Sequence, residues 1–169
     1  MDNQNNAAHS TTNIYNPLIE AAKPVFILVN AMQQTTSQLS TDSLINKFSL
    51  LINNFEENAE KNGARYDAIQ AAKYCLCTFV DELAVRAGWA DETWSKNSLL
   101  VSFYDETWGG ERFFEIIQNL KQDPDKNIDL LEFMYLCLQF GYKGKYQVLN
   151  SGELEIDKIK RDLLALIHS

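Results

Sequence analysis

Histidine is almost absent from this chain, and that limits the chemistry the protein can perform. The 169 residues include two histidines, His9 near the N-terminus and His168 as the penultimate residue. No histidine is therefore placed to act as a general base inside a core, and no Ser-His or Cys-His pair can form there. The Glu-x-x-His motifs of di-iron helical bundles are also missing. We expect a protein that is not an enzyme and has no catalytic residue.

The chain also lacks an excess of positive charge. It carries 15 Lys and Arg against 23 Asp and Glu, a formal net charge of −8. Nucleic-acid binding requires a basic surface to neutralise phosphates, and adsorption to anionic lipid requires the same. The composition therefore argues against both, and is compatible with partner proteins that present basic patches.

Long apolar runs and paired cysteines are missing too. No apolar run approaches the roughly 18 residues of a membrane-spanning helix, and the polar start does not resemble a signal peptide. The three cysteines, an odd number, give no disulfide framework. Cys75 and Cys77 are two apart on a predicted helix, so they face different ways and cannot chelate one metal ion. With Cys137 they are expected to be reduced core residues, which favours the cytosol, no metal site and no bound cofactor.

What is present is helical periodicity. No strand-like alternation continues beyond about four residues, so the chain is predicted to be all-α. With 46% apolar residues it can bury one core. Residues 14–169 are expected to form a single helical domain of about seven or eight helices, and residues 1–13, which are polar, to be a disordered tail.

Capping residues predict the helix boundaries. Asn16-Pro17 should start the first helix, and Pro24 should kink it near Glu20 because proline removes a hydrogen bond. Asp42 is expected to cap the second helix, which Asn62-Gly63 ends. The remaining helices are predicted at 64–87, from Asp91 or Thr93 through Phe103, after Trp108-Gly-Gly, from Asp123-Pro124 to Phe140, and at 152–167, where Leu154, Ile156, Ile159, Leu163, Leu166 and Ile167 should face inward.

Two glycine-containing segments stand out between these helices. In Glu106-Thr107-Trp108-Gly109-Gly110-Glu111, the glycines allow backbone angles that other residues avoid, and Glu111 suits the first turn of the next helix. In Gly141-Tyr142-Lys143-Gly144-Lys145, Gly141 is expected to be a left-handed C-cap. The second segment is not a phosphate-binding loop, because it lacks the upstream glycine and the Ser or Thr after the lysine.

With Tyr74–Leu83 upstream, these segments resemble the DotU/TssL (IcmH-type) family over about Asn16 to Ile167. The resemblance implies two small helical bundles with a cleft between them, and a C-terminal transmembrane anchor after residue 169. It also implies the cytoplasmic face of the bacterial inner membrane as the location. Family members often carry histidine where this chain has Tyr104, so any role of that histidine does not transfer.

The resemblance further implies a non-catalytic structural subunit of a type VI secretion membrane complex. Its expected partners are a TssM/IcmF-type inner-membrane protein and cytosolic baseplate components, TssK-like and TssE-like, with no nucleic acid and no small-molecule substrate. Alternatives are a DotU subunit of a type IVB system, or a free cytosolic helical adaptor. The soluble domain is expected to be mainly monomeric.

Candidate partner-binding residues lie in two places. Asp81 has no basic neighbour on its helix, so it either caps the helix after the Trp-Gly-Gly turn, accepts from an indole N–H, or lies exposed in a docking cleft. Glu82 has Arg86 at i+4, which predicts an ordinary exposed ion pair if it is not a docking residue. The second place is a basic-aromatic patch of Tyr142, Lys143, Lys145 and Tyr146, either a docking site or a solvated loop with tyrosine turned inward. Trp89, Trp94 and Trp108 are either interface residues or core residues, and the core is the expected place.

Overall fold

The computed structural model describes residues 15–34 and 40–169. Within these ranges the chain forms eight α-helices, one 3₁₀ helix and no strand, which confirms the all-α prediction. The predicted disordered tail lies outside the described residues. The helices are α1 (Pro17–Gln34), α2 (Thr41–Lys61), α3 (Tyr66–Arg86), α4 (Glu92–Lys96), α5 (Leu99–Tyr104), α6 (Arg112–Leu120), α7 (Ile128–Gln139), the 3₁₀ helix (Gly144–Val148) and α8 (Gly152–Ile167).

Helix α3 is the central element, as its apolar sequence predicts. Every residue from Tyr74 to Val80 is buried, and α3 packs against α1, α2, α5, α6 and α7. Helix α7 is the second central element, in contact with α1, α3, α6 and α8. Since burying one large apolar side chain contributes about 1.5–3 kcal/mol, these two helices supply much of the stability of the fold.

Phenylalanines join the long helices at the centre of the core. The Phe26 ring of α1 lies 5.3 Å from Phe79 of α3 and 6.0 Å from Phe133 of α7, centroid to centroid. Phe133 also lies 6.2 Å from Phe55 of α2. The buried apolar side chains of the long helices and of the shorter helices α4, α5 and α6 join in one core.

The first two helix starts differ in how well capping residues predict them. Asn16 caps α1 as expected, with Oδ1 accepting from the backbone N–H groups of Leu18 and Ile19, and α1 continues through Pro24 without interruption. Asp42 is not the cap of α2, so that prediction was wrong. Ser40 caps α2 because its hydroxyl accepts from the N–H of Ser43, and Asp42 lies in the first turn.

Two further boundaries were predicted wrongly. The fourth predicted helix is two helices: Asp91 caps α4, and Ser98 starts α5 by accepting from the N–H of Val101. The helix expected from Asp123-Pro124 begins at Ile128 instead, because the chain first makes turns in which Asn127 N–H donates to the Asp123 carbonyl.

The helix ends predicted at glycines, and the range predicted for the last helix, agree better with the structure. Gly63, Gly88 and Gly141 have positive φ angles where α2, α3 and α7 end, as the C-cap pattern predicts. Helix α8 occupies the expected range, although Leu154 is 72% exposed and does not join its buried face. In the described part of the chain, no helix is both long and apolar enough to span a membrane.

Candidate functional site

A cleft of about 220 Å³ lies along one side of α3, and we call it the α3 cleft. Its lining comes from α3 itself, from α5, from the 106–111 turn and from the 3₁₀ helix. The residues are Thr78, Asp81, Glu82, Val85, Leu100, Thr107, Trp108, Gly109 and Gln147. The structure therefore brings the predicted pair Asp81 and Glu82 together with the conspicuous Trp108-Gly109 sequence.

Asp81 holds the start of α5. One carboxylate oxygen, Oδ1, accepts from the indole Nε1–H of Trp94 at 3.0 Å and from the N–H of Leu99 at 2.9 Å. The other, Oδ2, accepts from the N–H of Leu100 at 3.0 Å. The predicted indole contact is confirmed. The predicted helix was wrong, because Asp81 caps α5 and not the helix after the Trp-Gly-Gly turn.

The ionisation of Asp81 reflects two opposing influences. Burial raises the pKa of Asp81 to about 6, while the hydrogen bonds from Leu100, Leu99 and Trp94 act to lower it. No basic side chain forms an ion pair with Asp81 in the described residues. At neutral pH the carboxylate is therefore ionised, with backbone and indole donors but no counter-charge.

Glu82 is far more than an exposed ion pair, so that prediction was wrong. Its side chain is 8% exposed. Oε1 accepts from Gly144 N–H at 2.7 Å and Gln147 Nε2 at 2.8 Å, and Oε2 accepts from Lys143 N–H and Arg86 Nη2, both at 2.8 Å. Burial raises the pKa of Glu82, against the effect of these donors. The residue fixes the chain from Lys143 to Gln147 onto α3.

Arg86 completes this attachment. Its Nη1 donates to the carbonyl oxygen of Gly141 at 2.6 Å, while Nη2 binds Glu82. One pair of side chains on α3 therefore satisfies both a carbonyl just after α7 and two amides of the following loop. The spacing of Glu82 and Arg86 was visible in the sequence, but their loop partners lie more than fifty residues away and left no local signal.

The 106–111 turn depends on close packing and not on unusual backbone angles. Neither Gly109 nor Gly110 has a positive φ, so that part of the prediction was wrong. A Cβ on Gly109 would lie 2.7 Å from Thr78 Oγ1, and one on Gly110 would lie 2.5 Å from Cζ2 of Trp108 and 2.9 Å from the backbone nitrogen of Lys145. These glycines are needed because α3, the Trp108 ring and the 3₁₀ helix approach the turn too closely for any side chain.

Glu106 anchors the beginning of the same turn. Its Oε2 accepts from the hydroxyl of Tyr74 at 2.7 Å, and its Oε1 accepts from Arg112 Nη1 at 3.3 Å. Glu111 precedes α6 without a side-chain capping bond, so its expected place in the first helical turn is off by one residue. Thr107 is exposed at the cleft.

The two glycine segments touch each other directly. Lys145 N–H donates to the carbonyl of Gly110 at 3.2 Å. Gly144 has φ +51°, and a Cβ there would lie 2.7 Å from Gly110 O. The glycines at 110 and 144 thus permit one close crossing of two loops, which neither sequence segment reveals alone.

The basic-aromatic patch is only partly a surface. Tyr142 is fully buried and shares a hydrogen bond with Thr78 at 3.0 Å, so it cannot contact a partner as predicted. Lys143 Nζ lies 3.3 Å from Glu153, and Lys145 Nζ lies over the ring of Tyr146. Lys143, Lys145 and Tyr146 are all half-buried. A contact role for Lys143, Lys145 and Tyr146 remains a prediction.

The three tryptophans have different environments. Trp94 is buried and Trp89 is half-buried, with its Nε1–H donating to the carbonyl of Met32. Trp108 is 55% exposed, so its assignment to the core was wrong. Val85, which also lines the cleft, is 65% exposed. Exposed large apolar residues facing one groove are typical of binding surfaces.

Other candidate chemistry finds no support among the described residues. They contain no cluster of His, Cys, Asp and Glu suited to a metal ion. Cys75, Cys77 and Cys137 are buried, unpaired thiols, as predicted, and burial raises their pKa well above the ordinary value. A thiol in that state is unreactive. The buried hydroxyl of Tyr104 has no hydrogen-bond partner in the described chain.

Comparison with known proteins agrees with the resemblance in the sequence. The family model described as type VI secretion system protein DotU matches residues 17–169 of this chain. The chain belongs to the DotU family. A sequence comparison with curated proteins finds no match.

Solved structures of the DotU family share this fold. TssL from Vibrio cholerae is 32% identical, with a TM-score of 0.80, covering 91% of this chain and 98% of that one. The cytoplasmic domain of TssL from Acinetobacter baumannii is 25% identical, with a TM-score of 0.78 and coverage of 88% and 98%. SciP/TssL from Escherichia coli, at 20% identity, a TM-score of 0.75 and coverage of 89% and 88%, shows the same fold.

Proposed function

We propose that this DotU-family chain is a non-catalytic structural subunit that recruits cytosolic baseplate components to the type VI secretion membrane complex. In this role it lies at the inner membrane beside a TssM/IcmF-type protein, and TssK-like or TssE-like proteins bind its cytosolic face. The observation that carries the proposal is the α3 cleft, where Trp108 is 55% exposed and Val85 65% exposed on a groove built from the family's own sequence segments.

The acids of the cleft support a binding role over a catalytic one. Both carboxylates are occupied by donors that hold the fold, three for Asp81 and four for Glu82. A general acid or base must exchange a proton with substrate, whereas these hydrogen bonds give the two carboxylates structural roles. The described residues that line the cleft include no histidine.

Trp108 is the residue best placed to dominate binding. Tryptophan is enriched among residues that contribute most of the energy of protein interfaces, where it fills a pocket and excludes water. Because Trp108 is half-exposed and donates no hydrogen bond to the fold among the described residues, its removal should leave the fold intact.

The test is a binding measurement between the 169-residue chain and the purified TssK-like and TssE-like proteins of the same secretion system. We expect Trp108→Ala to weaken binding to at least one of them by about tenfold or more. Tyr66→Ala is the matched control, because Tyr66 is an exposed aromatic of α3 outside the cleft, at 77% exposure. Unchanged binding in Trp108→Ala, or no binding of either protein to the unmodified chain, would contradict the proposal.

A further inference from the structure

Asp81 and Glu82 are neighbours in sequence, but only Glu82 has a positively charged side chain as a partner. Glu82 forms an ion pair with Arg86 at 2.8 Å. Asp81 has no cation among its partners, which are an indole and two backbone amides. A partly buried carboxylate without a counter-charge is costly, and a cation entering the cleft would relieve that cost. The part of the cleft that Asp81 lines is therefore complementary to a positive group.

The two acids also differ in the donors that they accept. A carboxylate offers about four acceptor positions. Glu82 fills all four with the donors of Arg86, Lys143, Gly144 and Gln147. The donors to Asp81 are all neutral: the indole of Trp94, two backbone N–H groups and the hydroxyl of Ser98. A charged donor forms a stronger hydrogen bond than a neutral hydroxyl and can replace it at Asp81, whereas Glu82 already accepts from the guanidinium of Arg86.

The walls and size of the cleft restrict what can enter. Val85 and Trp108 offer apolar surface, and Trp108 offers an aromatic ring. Aliphatic stems of lysine and arginine pack on apolar walls, and their charged heads are attracted to indole rings. A volume of about 220 Å³ is smaller than an ordinary small-molecule pocket and has room for one long side chain.

We propose that the α3 cleft binds one basic side chain, an arginine or a lysine, from a partner protein. The charged head hydrogen-bonds to Oδ2 of Asp81, and the aliphatic stem lies between Trp108 and Val85. Glu82 is a positioning residue, which holds the wall that carries Gln147. This inference rests on the proposed function, since it names the chemistry by which the recruited protein is recognised.

Binding of the side chain alone can be measured by NMR with the ¹⁵N-labelled 169-residue chain. The probe is Nα-acetyl-arginine amide at constant ionic strength, and the neutral control is Nα-acetyl-citrulline amide. We expect saturable shifts of the Trp108 indole N–H and the Gln147 side-chain amide with a dissociation constant on the order of 1–10 mM. The Trp89 indole, which lies outside the cleft lining and is bonded to Met32, should not move.

Variants separate the roles of the residues. Asp81→Asn should weaken arginine binding by about fivefold or more, because the charge-assisted bond is lost. Asp129→Asn, at a half-buried acid outside the cleft lining, should not. If Asp81→Asn fails to fold, Trp108→Ala provides the second variant, and the Gln147 amide should then lose its response to arginine.

Three results would overturn the inference: no saturable shift, equal shifts with citrulline, or full arginine affinity in both Asp81→Asn and Trp108→Ala. If arginine binds but no TssK-like or TssE-like protein does, the inference that the cleft binds a basic side chain would be supported and the proposed function refuted. Partner binding that depends on Trp108, with no response to arginine, would sustain the function and refute the inference.

Discussion

The core of the long helices and the walls of the α3 cleft are held together in different ways. In the core, α1, α2, α3 and α7 interlock through buried phenylalanines and aliphatic side chains. Around the cleft, short helices and loops attach to α3 through carboxylates that accept from backbone N–H groups. Apolar packing tolerates many exchanges of similar volume, whereas each of these hydrogen bonds requires one particular acceptor.

The largest effect is expected from a truncation in the core. Phe133→Ala should lower the free energy of unfolding by about 3–5 kcal/mol, because the ring is fully buried between Phe26 and Phe55. Urea unfolding followed by circular dichroism measures the change. Ile27→Ala, at an α1 residue that is 68% exposed, is the control and should change stability by less than about 0.5 kcal/mol. A similar loss in both variants would mean that this core is not tightly packed.

A smaller but specific loss is expected at the cleft. Glu82→Ala should cost about 2 kcal/mol, because the N–H groups of Lys143 and Gly144 lose their acceptor. Glu92→Ala breaks a similar i,i+4 pair, with Lys96, on an exposed surface and should change stability by less than about 0.5 kcal/mol. An equal loss of stability in the two variants would show that Glu82 contributes no more than an ordinary surface ion pair.

The smallest effect expected is a change in the pH dependence of stability. The pKa of Asp81 is raised from 3.8 to about 6 in the folded state, so the folded chain binds an extra proton between these values. Stability should therefore rise as the pH falls from about 7 to about 5, by about 1 kcal/mol relative to Asp81→Asn. Glu82 and Asp129 titrate in both proteins and cancel in the comparison.

Unfolding of both proteins across this pH range measures the difference. In the unmodified chain, the Trp94 indole N–H signal should titrate with a midpoint near 6, because it is bonded to Asp81. Parallel stability curves for the two proteins, or a midpoint near 4, would show that the hydrogen bonds lower the pKa of Asp81 as much as burial raises it.

The core could be predicted from the sequence because its signal is local and repeated. Apolar spacing located α2, α3, α7 and α8, and the glycines at 63, 88 and 141 marked where helices stop. Errors arose at polar residues that can cap a helix: Ser40, and not Asp42, caps α2, and Ser98 starts a separate helix within the predicted fourth one. Competing caps differ by tenths of a kcal/mol, so tertiary contacts decide between them.

The sequence predicted several of the residues that line the cleft, but not how they are arranged. The sequence singled out Asp81, Glu82 and the 106–111 turn, and the structure brings them together. It did not reveal that Glu82 binds the loop at 143–147, or that Trp108 is exposed while Tyr142 is buried. Those facts depend on contacts between residues about 60 positions apart, which no helical period encodes.

Amide hydrogen exchange tests most directly the claim that these two acids attach separate parts of the cleft wall to α3. The amides of Leu99 and Leu100 should be protected by Asp81, and those of Lys143 and Gly144 by Glu82. In Glu82→Gln, we expect protection to fall about tenfold or more at Lys143 and Gly144 while Leu99 and Leu100 keep theirs. Unprotected amides in the unmodified chain, or an equal loss at both pairs, would contradict the account.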